Sequence, residues 1–318
     1  MKAAVYRQYG PPDVVEVVQV DRPTPQTKNE VLIKVHATTV TTGDVRLRAS
    51  DFPAAVWLPA RCIFGLVRPK KQILGHEFAG VVEAVGANVT KFRVGDQVFG
   101  TTTMCPTGAH AEYVCLPQQW KLGVLETKPV GVSFADAAAL PIGAMTAMYL
   151  LMDKAKLKSS PAAPSNNNCS VLIYGASGSV GSFAIQLAVA EGATVTAVCS
   201  AKNADMVRSL GAKHVIDYHD TDYSDDENAK YDIVLDAVGK TSKQKANKVL
   251  KNGGRFVSVE MLTDEKSSHL LKIRQMAEQG KLKPFIDKRY TLDRIKEAHE
   301  YVDSGRKRGN VVIEIIAP

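Results

Sequence analysis

The chain has 318 residues, of which 45% are hydrophobic and 23% charged, and its net charge is +7. These values describe a soluble globular protein of one large or two smaller domains, and no apolar run approaches the ~20 residues a membrane span needs. The five cysteines (Cys62, Cys105, Cys115, Cys169, Cys199) are odd in number and none are at Cys-x-x-Cys spacing, which argues against a disulfide framework or a zinc ribbon.

The start, Met1-Lys2-Ala3-Ala4-Val5-Tyr6, alternates as a strand does and lacks the apolar core and cleavage site of a signal peptide, so the expected compartment is the cytoplasm. Short β-branched runs follow at Val14–Val20, Val31–Ala37, Ala79–Val85, Gln97–Gly100 and Ala111–Cys115. Turn residues bound them, as at Gly10-Pro11-Pro12 and Gly95-Asp96, and the pattern over 1–123 predicts a barrel-like β domain with few helices. At Ser133 the character changes. Ser133 and Asp136 have capping-box spacing, and helix is expected to Leu140, interrupted by Pro141, then resumed through Leu151. Residues 158–169 form a Pro/Ser/Asn-rich loop.

From Ser170 strand and helix alternate: strands at Val171–Tyr174, Thr194–Cys199, His214–Ile216, Tyr231–Ala237 and Gly254–Val259, helices at Val180–Ala190 and Ala204–Leu210. That alternation implies parallel βαβ units. A helix at Ser268–Gln279 and a strand at Asn310–Ile316 complete the chain. The basic residues are spread out. Their densest clusters, Arg68-Pro69-Lys70-Lys71 and Arg306-Lys307-Arg308, lack interleaved aromatics, so a solvated surface is expected rather than a nucleic-acid platform, with an anionic small ligand as the alternative for the second.

The strongest local signal is Gly175-Ala176-Ser177-Gly178-Ser179-Val180-Gly181, between a buried strand and a helix. Small residues there let the backbone approach a pyrophosphate, and the helix N-terminus presents N–H groups to it. Ala176 falls in the first glycine slot of G-x-G-x-x-G, with Gly178 and Gly181 in the others. The second strand ends in Ser200-Ala201-Lys202, with no acid for a ribose 2′-OH; a hydroxyl and a lysine suit a 2′-phosphate, so NADPH is the expected cofactor.

With these residues in view the chain resembles the medium-chain dehydrogenase/reductases, and within them the zinc-independent quinone oxidoreductase branch. The segments that carry the resemblance are Met1–Val5 with Gly10-Pro11-Pro12, Gly75-His76-Glu77-Phe78-Ala79-Gly80-Val81-Val82, Val94-Gly95-Asp96-Gln97-Val98, Ala138–Pro141 with Thr146-Ala147, and a C-terminal set, Gly280–Pro284, Ala298-His299 and Gly309–Val312. The resemblance implies an α/β protein, a doubly wound Rossmann domain (124–262) plus a GroES-like β-barrel domain (1–123 and 263–318), with the active site in the cleft between them. It aligns the three catalytic zinc ligands of zinc-dependent relatives with Thr41, His76 and Ile142, so no metal is expected. It sets Thr146 against the nicotinamide and Thr41 and Asp44 near the reacting centre. Asp44 reads either as a proton relay or as a turn residue, and His76 either as a hydrogen-bonded wall residue or as an acid. Tyr218 joins Ser200 and Lys202 at the 2′-phosphate, Val238 and Gly239 line the cofactor groove, and Asn310 makes a further contact.

The implied function is NADPH-dependent hydride transfer to a quinone or an α,β-unsaturated carbonyl. The alternatives are a zinc-type alcohol dehydrogenase relative, a non-catalytic NADPH-binding sensor or RNA-binding protein, and an acyl-thioester enoyl reductase, whose tyrosine is not evident here. The expected partner is a small molecule, with no nucleic acid and no membrane. Only about ten residues separate Val259 from the helix near Leu270, shorter than in relatives, which weakens the expectation of a family homodimer.

Overall fold

Burial along Glu30–Thr39, where Val31, Leu32, Ile33, Val35 and Ala37 are enclosed while Lys34 reaches solvent, organises the first of two units in a computed structural model. The structure describes residues 1–157, 169–226, 228–261 and 263–316. The Pro/Ser/Asn-rich loop, apart from Cys169, lies outside the described residues.

The first unit comprises Met1–Ile142, Lys266–Arg274 and Ile286–Pro318. Glu30–Thr39 sits near the middle of a seven-stranded sheet and pairs antiparallel with Glu77–Val85, Tyr113–Pro117 and Asn310–Glu314. Gln97–Thr101 and Leu125–Thr127 extend it one way, Ile286–Thr291 the other. A separate hairpin joins Lys2–Tyr6 to Val15–Gln19. Val31, Ile33, Val35, Phe78, Val98 and Leu116 fill one core of this unit; Val40, Val45, Ile295, Ala298, Val311 and Ile313 fill another.

Two helices, Thr42–Ala49 and Ala54–Phe64, interrupt the expected β run, and the first has a physical reason for escaping pattern reading. Its enclosed residues are Asp44, Val45, Leu47 and Arg48, so two of its charges point inward and no apolar stripe marks it. Arg48 is 1% exposed. Its Nε donates to the Gly10 carbonyl (3.0 Å), Nη1 to His299 Nδ1 (3.2 Å) and Nη2 to Asp303 Oδ2 (2.5 Å). One guanidinium thus ties the first hairpin turn, its own helix and helix Ile295–Asp303 together.

The second unit, Gly143–Glu265 with Gln275–Phe285, is the doubly wound one. Five parallel strands lie in the order His214–Asp217, Thr194–Cys199, Ser170–Tyr174, Tyr231–Asp236, Leu250–Ser258. Strand order reverses between Ser170–Tyr174 and Tyr231–Asp236, and in such sheets ligands bind beyond the strand C-termini at that switch. Two boundaries differ from those read in sequence. Residues 124–142 pack with the first unit, because Leu125–Thr127 joins its sheet and the Ile142 N–H is held by Glu77. Residues 275–285 pack with the second, where Gln186 and Lys283 exchange two hydrogen bonds (2.9 Å each).

Replacing Arg48 by Met should cost about 3 kcal/mol, since it leaves Asp303, the half-buried Gly10 carbonyl and the buried His299 Nδ1 without their donor. A urea titration monitored by circular dichroism checks this; a loss below 1 kcal/mol would mean the guanidinium is not the tie described.

Candidate functional site

In the first unit three of the sequence-selected residues converge. Thr41 caps helix Thr42–Ala49, and Asp44, three positions on, returns the bond to complete a capping box. Asp44 Oδ2 accepts from the Thr41 N–H (2.8 Å) and hydroxyl (2.6 Å); Oδ1 accepts from the Gly75 N–H (2.8 Å) and His76 Nδ1 (2.7 Å). Asp44 is fully enclosed. Burial alone would raise its pKa, but the charge and hydrogen bond of His76, with His110 and Thr41, outweigh burial and hold it well below the usual carboxylate range. An ionised Asp44 only accepts, so His76 Nδ1 carries a proton and Nε2 is the nitrogen left to exchange one. His76 is partly exposed and lines a cavity of about 280 Å³ with Leu47, Phe64, Met104, Cys105 and Pro106.

Glu77, next in the chain, has the opposite environment. Its Oε1 accepts from the Thr39 hydroxyl (2.6 Å) and Oε2 from the Ile142 N–H (2.7 Å). Burial is the dominant influence, and it pushes the pKa up to about 7. Lys307, half-buried by surface area, is pushed down to about 8 by burial, with Glu77 opposing that shift. His110 donates from Nε2 to the Thr39 carbonyl (2.8 Å) and burial lowers its pKa. His299 is brought down to about 3, again chiefly by burial, so it is neutral; Arg48 donates to its Nδ1, which puts its proton on Nε2. Sequence reading missed Glu77, His110 and Arg48 as members of this network, since their partners are distant in the chain.

In the second unit the loop after strand Ser170–Tyr174 has the features a pyrophosphate requires. The glycine that the turn demands is Gly175, at φ +75°, one residue before the slot given to Ala176. Ala176 is enclosed and its N–H, like that of Gly175, bonds the Val198 carbonyl. Gly181 allows close helix packing, because a Cβ there would lie 2.3 Å from the Gly175 carbonyl oxygen. Gly178 occupies the N-cap of helix Ser179–Ala190, so no capping side chain covers that terminus. These residues fit an NADPH diphosphate.

At the second-strand tip, Asn203 Nδ2 donates to Ser177 Oγ (3.0 Å) and Ser200 Oγ (3.2 Å), and its buried Oδ1 has no partner. Lys202 and Tyr218 are exposed. Asp217 is nearby, but its oxygens accept the Ala201 and His219 N–H groups (2.7 and 2.9 Å). Val238 abuts Gly175, and Asp236, which sequence reading passed over, accepts from the N–H groups of Val238, Gly239 and Thr241 to shape that loop. Thr146 is half-buried on helix Pro141–Met148, and Asn310 is buried at the start of the last strand, apart from the Asp44 cluster's hydrogen bonds.

Zinc fits the first unit poorly. Of the three aligned positions, Thr41 offers a hydroxyl already bonded to Asp44, Ile142 offers no donor side chain, and only His76 is a usual ligand. Among the described residues no group of three or more His, Cys, Asp or Glu is placed to hold a metal ion.

Comparison with known proteins identifies both parts of the chain. The alcohol dehydrogenase GroES-like domain matches residues 27–157 and the zinc-binding dehydrogenase family matches residues 179–289. A 2-methylene-furan-3-one reductase of Solanum lycopersicum is 32% identical over 99% of this chain and 79% of its own length. A chloroplastic NADPH-dependent alkenal/one oxidoreductase of Arabidopsis thaliana is 31% identical over 98% of this chain and 79% of its own. The solved quinone oxidoreductase of Coxiella burnetii superposes with a TM-score of 0.81 at 27% identity, covering 99% of both chains.

Glu77 gives a pH dependence of definite sign. Between pH 4.5 and about 7 the folded chain keeps a proton there that the unfolded chain has lost, so stability falls as pH rises through that window. The shift corresponds to about 3 kcal/mol. Denaturation of the wild type and of Glu77→Gln across pH 4.5 to 8 should show the steeper fall in the wild type; parallel curves would refute it.

Proposed function

This chain belongs to the medium-chain dehydrogenase/reductase superfamily, and we propose that it is an NADPH-dependent oxidoreductase that reduces quinones and α,β-unsaturated carbonyls without zinc. The observation that carries the cofactor half of this reading is the second-strand tip: Ser200 and Lys202 stand where an NAD site has an acid, and the neighbouring Asp217 has both oxygens on backbone N–H groups. The acceptor half rests on the relatives, whose names specify a methylene-furanone, alkenals and enones, and quinones. All are electrophiles that need no Lewis acid to accept a hydride, in keeping with the lack of zinc-ligand residues.

NADPH supplies the hydride when bound. The first turn of helix Ser179–Ala190 would hold its diphosphate, and Thr146 would face the nicotinamide. The apolar wall of Leu47, Phe64, Met104 and Pro106 would take the acceptor's ring or chain and exclude water. Asp44 fixes the His76 ring through Nδ1–H, and the doubly protonated ring would deliver its Nε2 proton to complete the reduction, returning to the Nδ1–H tautomer until solvent reprotonates it. Asp44 is thus a positioning residue and His76 the acid. The five free cysteines accord with a reducing compartment, for which we propose the cytoplasm.

NADPH oxidation followed at 340 nm with phenanthrenequinone and with a short enone should proceed equally with and without a chelator, and faster than with NADH. Activity abolished by the chelator and restored by zinc would overturn the zinc-free reading. Lys202→Ala should raise the KM for NADPH about tenfold with little change in kcat, the effect of losing one charge-assisted hydrogen bond. An unchanged KM would remove Lys202 from the 2′-phosphate site.

A further inference from the structure

We propose that helix Ala54–Phe64 and the turn after it form an interfacial face that seats this protein on an anionic lipid bilayer. Residues 52–76 contain no Asp or Glu but carry Arg61, Arg68, Lys70 and Lys71, in a chain with 33 acids. The exposed positions of the helix are not polar, as they are on an ordinary surface helix: Val56, Trp57, Leu58, Pro59, Cys62 and Ile63 all face solvent. Leu66 and Val67 continue the patch, Val67 being 80% exposed. Six of the fourteen large apolar side chains exposed among the described residues fall between positions 56 and 67.

The outward orientation is built in. Phe64 stacks on Phe52 with ring centroids 5.9 Å apart and planes 12° from parallel. Arg61 lies over the Tyr9 ring at 3.9 Å, bonds Ser50 Oγ (3.1 Å) and reaches the Leu66 carbonyl. The Tyr9 hydroxyl bonds the Gly65 carbonyl (2.8 Å), and the Lys70 N–H bonds the Phe64 carbonyl (2.8 Å). With the inner side so occupied, the apolar residues have no inward alternative. A fixed apolar face with a tryptophan, bordered by exposed Arg68 and Lys70 in a segment free of acids, matches the depth and charge of a bilayer interface rich in anionic headgroups. A helix lying in the interface needs no apolar span. Ile63 and Phe64 of this same helix also line the cavity at His76, so docking would bring that cavity's wall to the phase in which apolar acceptors dissolve.

The test is co-sedimentation of the full chain with vesicles of phosphatidylcholine alone and of phosphatidylcholine with an equal part of phosphatidylserine. The expected result is several-fold more protein in the pellet with the anionic vesicles, reversed by high salt. Trp57→Ser, Leu58→Ser and Val67→Ser together should leave the protein in the supernatant with its NADPH turnover intact, which separates this proposal from the reading of the active site. In the wild type, tryptophan emission should shift to the blue on adding anionic vesicles, and Trp57→Tyr should abolish that shift. Failure to pellet with either vesicle, or pelleting unaltered by the triple substitution, overturns the proposal. So does a wild-type dimer that the triple substitution dissociates, which would assign the face to a second copy of the chain.

Discussion

An ionised carboxylate out of contact with water costs several kcal/mol unless its lone pairs are met, and Asp44 meets that demand with four donors drawn from two segments. The consequence reaches well beyond one side chain. Helix Thr42–Ala49 can start only where Thr41 and Asp44 close the capping box, and the Gly75-His76 backbone can approach only because Gly75 adopts φ +97° and leaves room for His110. Arg48, one turn further along, carries the same helix onto Ile295–Asp303 through His299 and Asp303. Asp44 and Arg48 are the buried charges among these groups, so each must have its partners, and those partners dictate how the loops of this unit fold back.

Asp44 and Glu77 show how neighbouring carboxylates are driven apart. Asp44 has a histidine against it and is held ionised; Glu77 has only a hydroxyl and one amide in contact, and burial prevails. Environments that separate two acids in this way are how protein sites divide proton-holding from proton-donating roles. Here the separation keeps the His76 ring anchored on a group that stays charged. Glu77 acts at one remove, bracing strand Glu30–Thr39 through Thr39 and the chain at Ile142.

What could be read from sequence follows from the range of each interaction. Strand Thr194–Cys199 has its read boundaries because a parallel core strand is a continuous apolar run, and loop Gly175–Gly181 could be located because strand, small residues and helix are contiguous. The slot that Ala176 fills does not carry the left-handed turn, which Gly175 makes one residue earlier, because G-x-G-x-x-G spacing does not say which residue turns; φ does. Helix Thr42–Ala49 was invisible for a different reason. Its inward face carries Asp44 and Arg48, whose partners Gly75, His76, His299 and Asp303 are remote in the chain, so it breaks the apolar period that would announce it. Helix Ile295–Asp303 buries Ile295, Ala298, His299 and Val302 at helical spacing and was legible in principle, yet its His299 read as a family signature before it read as a core position.

A site with a single usual zinc ligand, His76, need not be a degraded one. Where a metal would hold a histidine by coordination, this chain holds His76 by a charge-assisted hydrogen bond from Nδ1 to a carboxylate that cannot relax, since its other three donors are fixed by the capping box and by Gly75. A coordinated imidazole cannot exchange a proton at the ligating nitrogen, whereas one held only at Nδ1 can do so at Nε2. In the proposed reading, with Thr41 and Ile142 at the other two positions, His76 serves as a group able to deliver a proton and not as a ligand. That proposed role would suit acceptors whose reduction ends in protonation at carbon or oxygen, with the buried Asp44 as the group that positions the histidine.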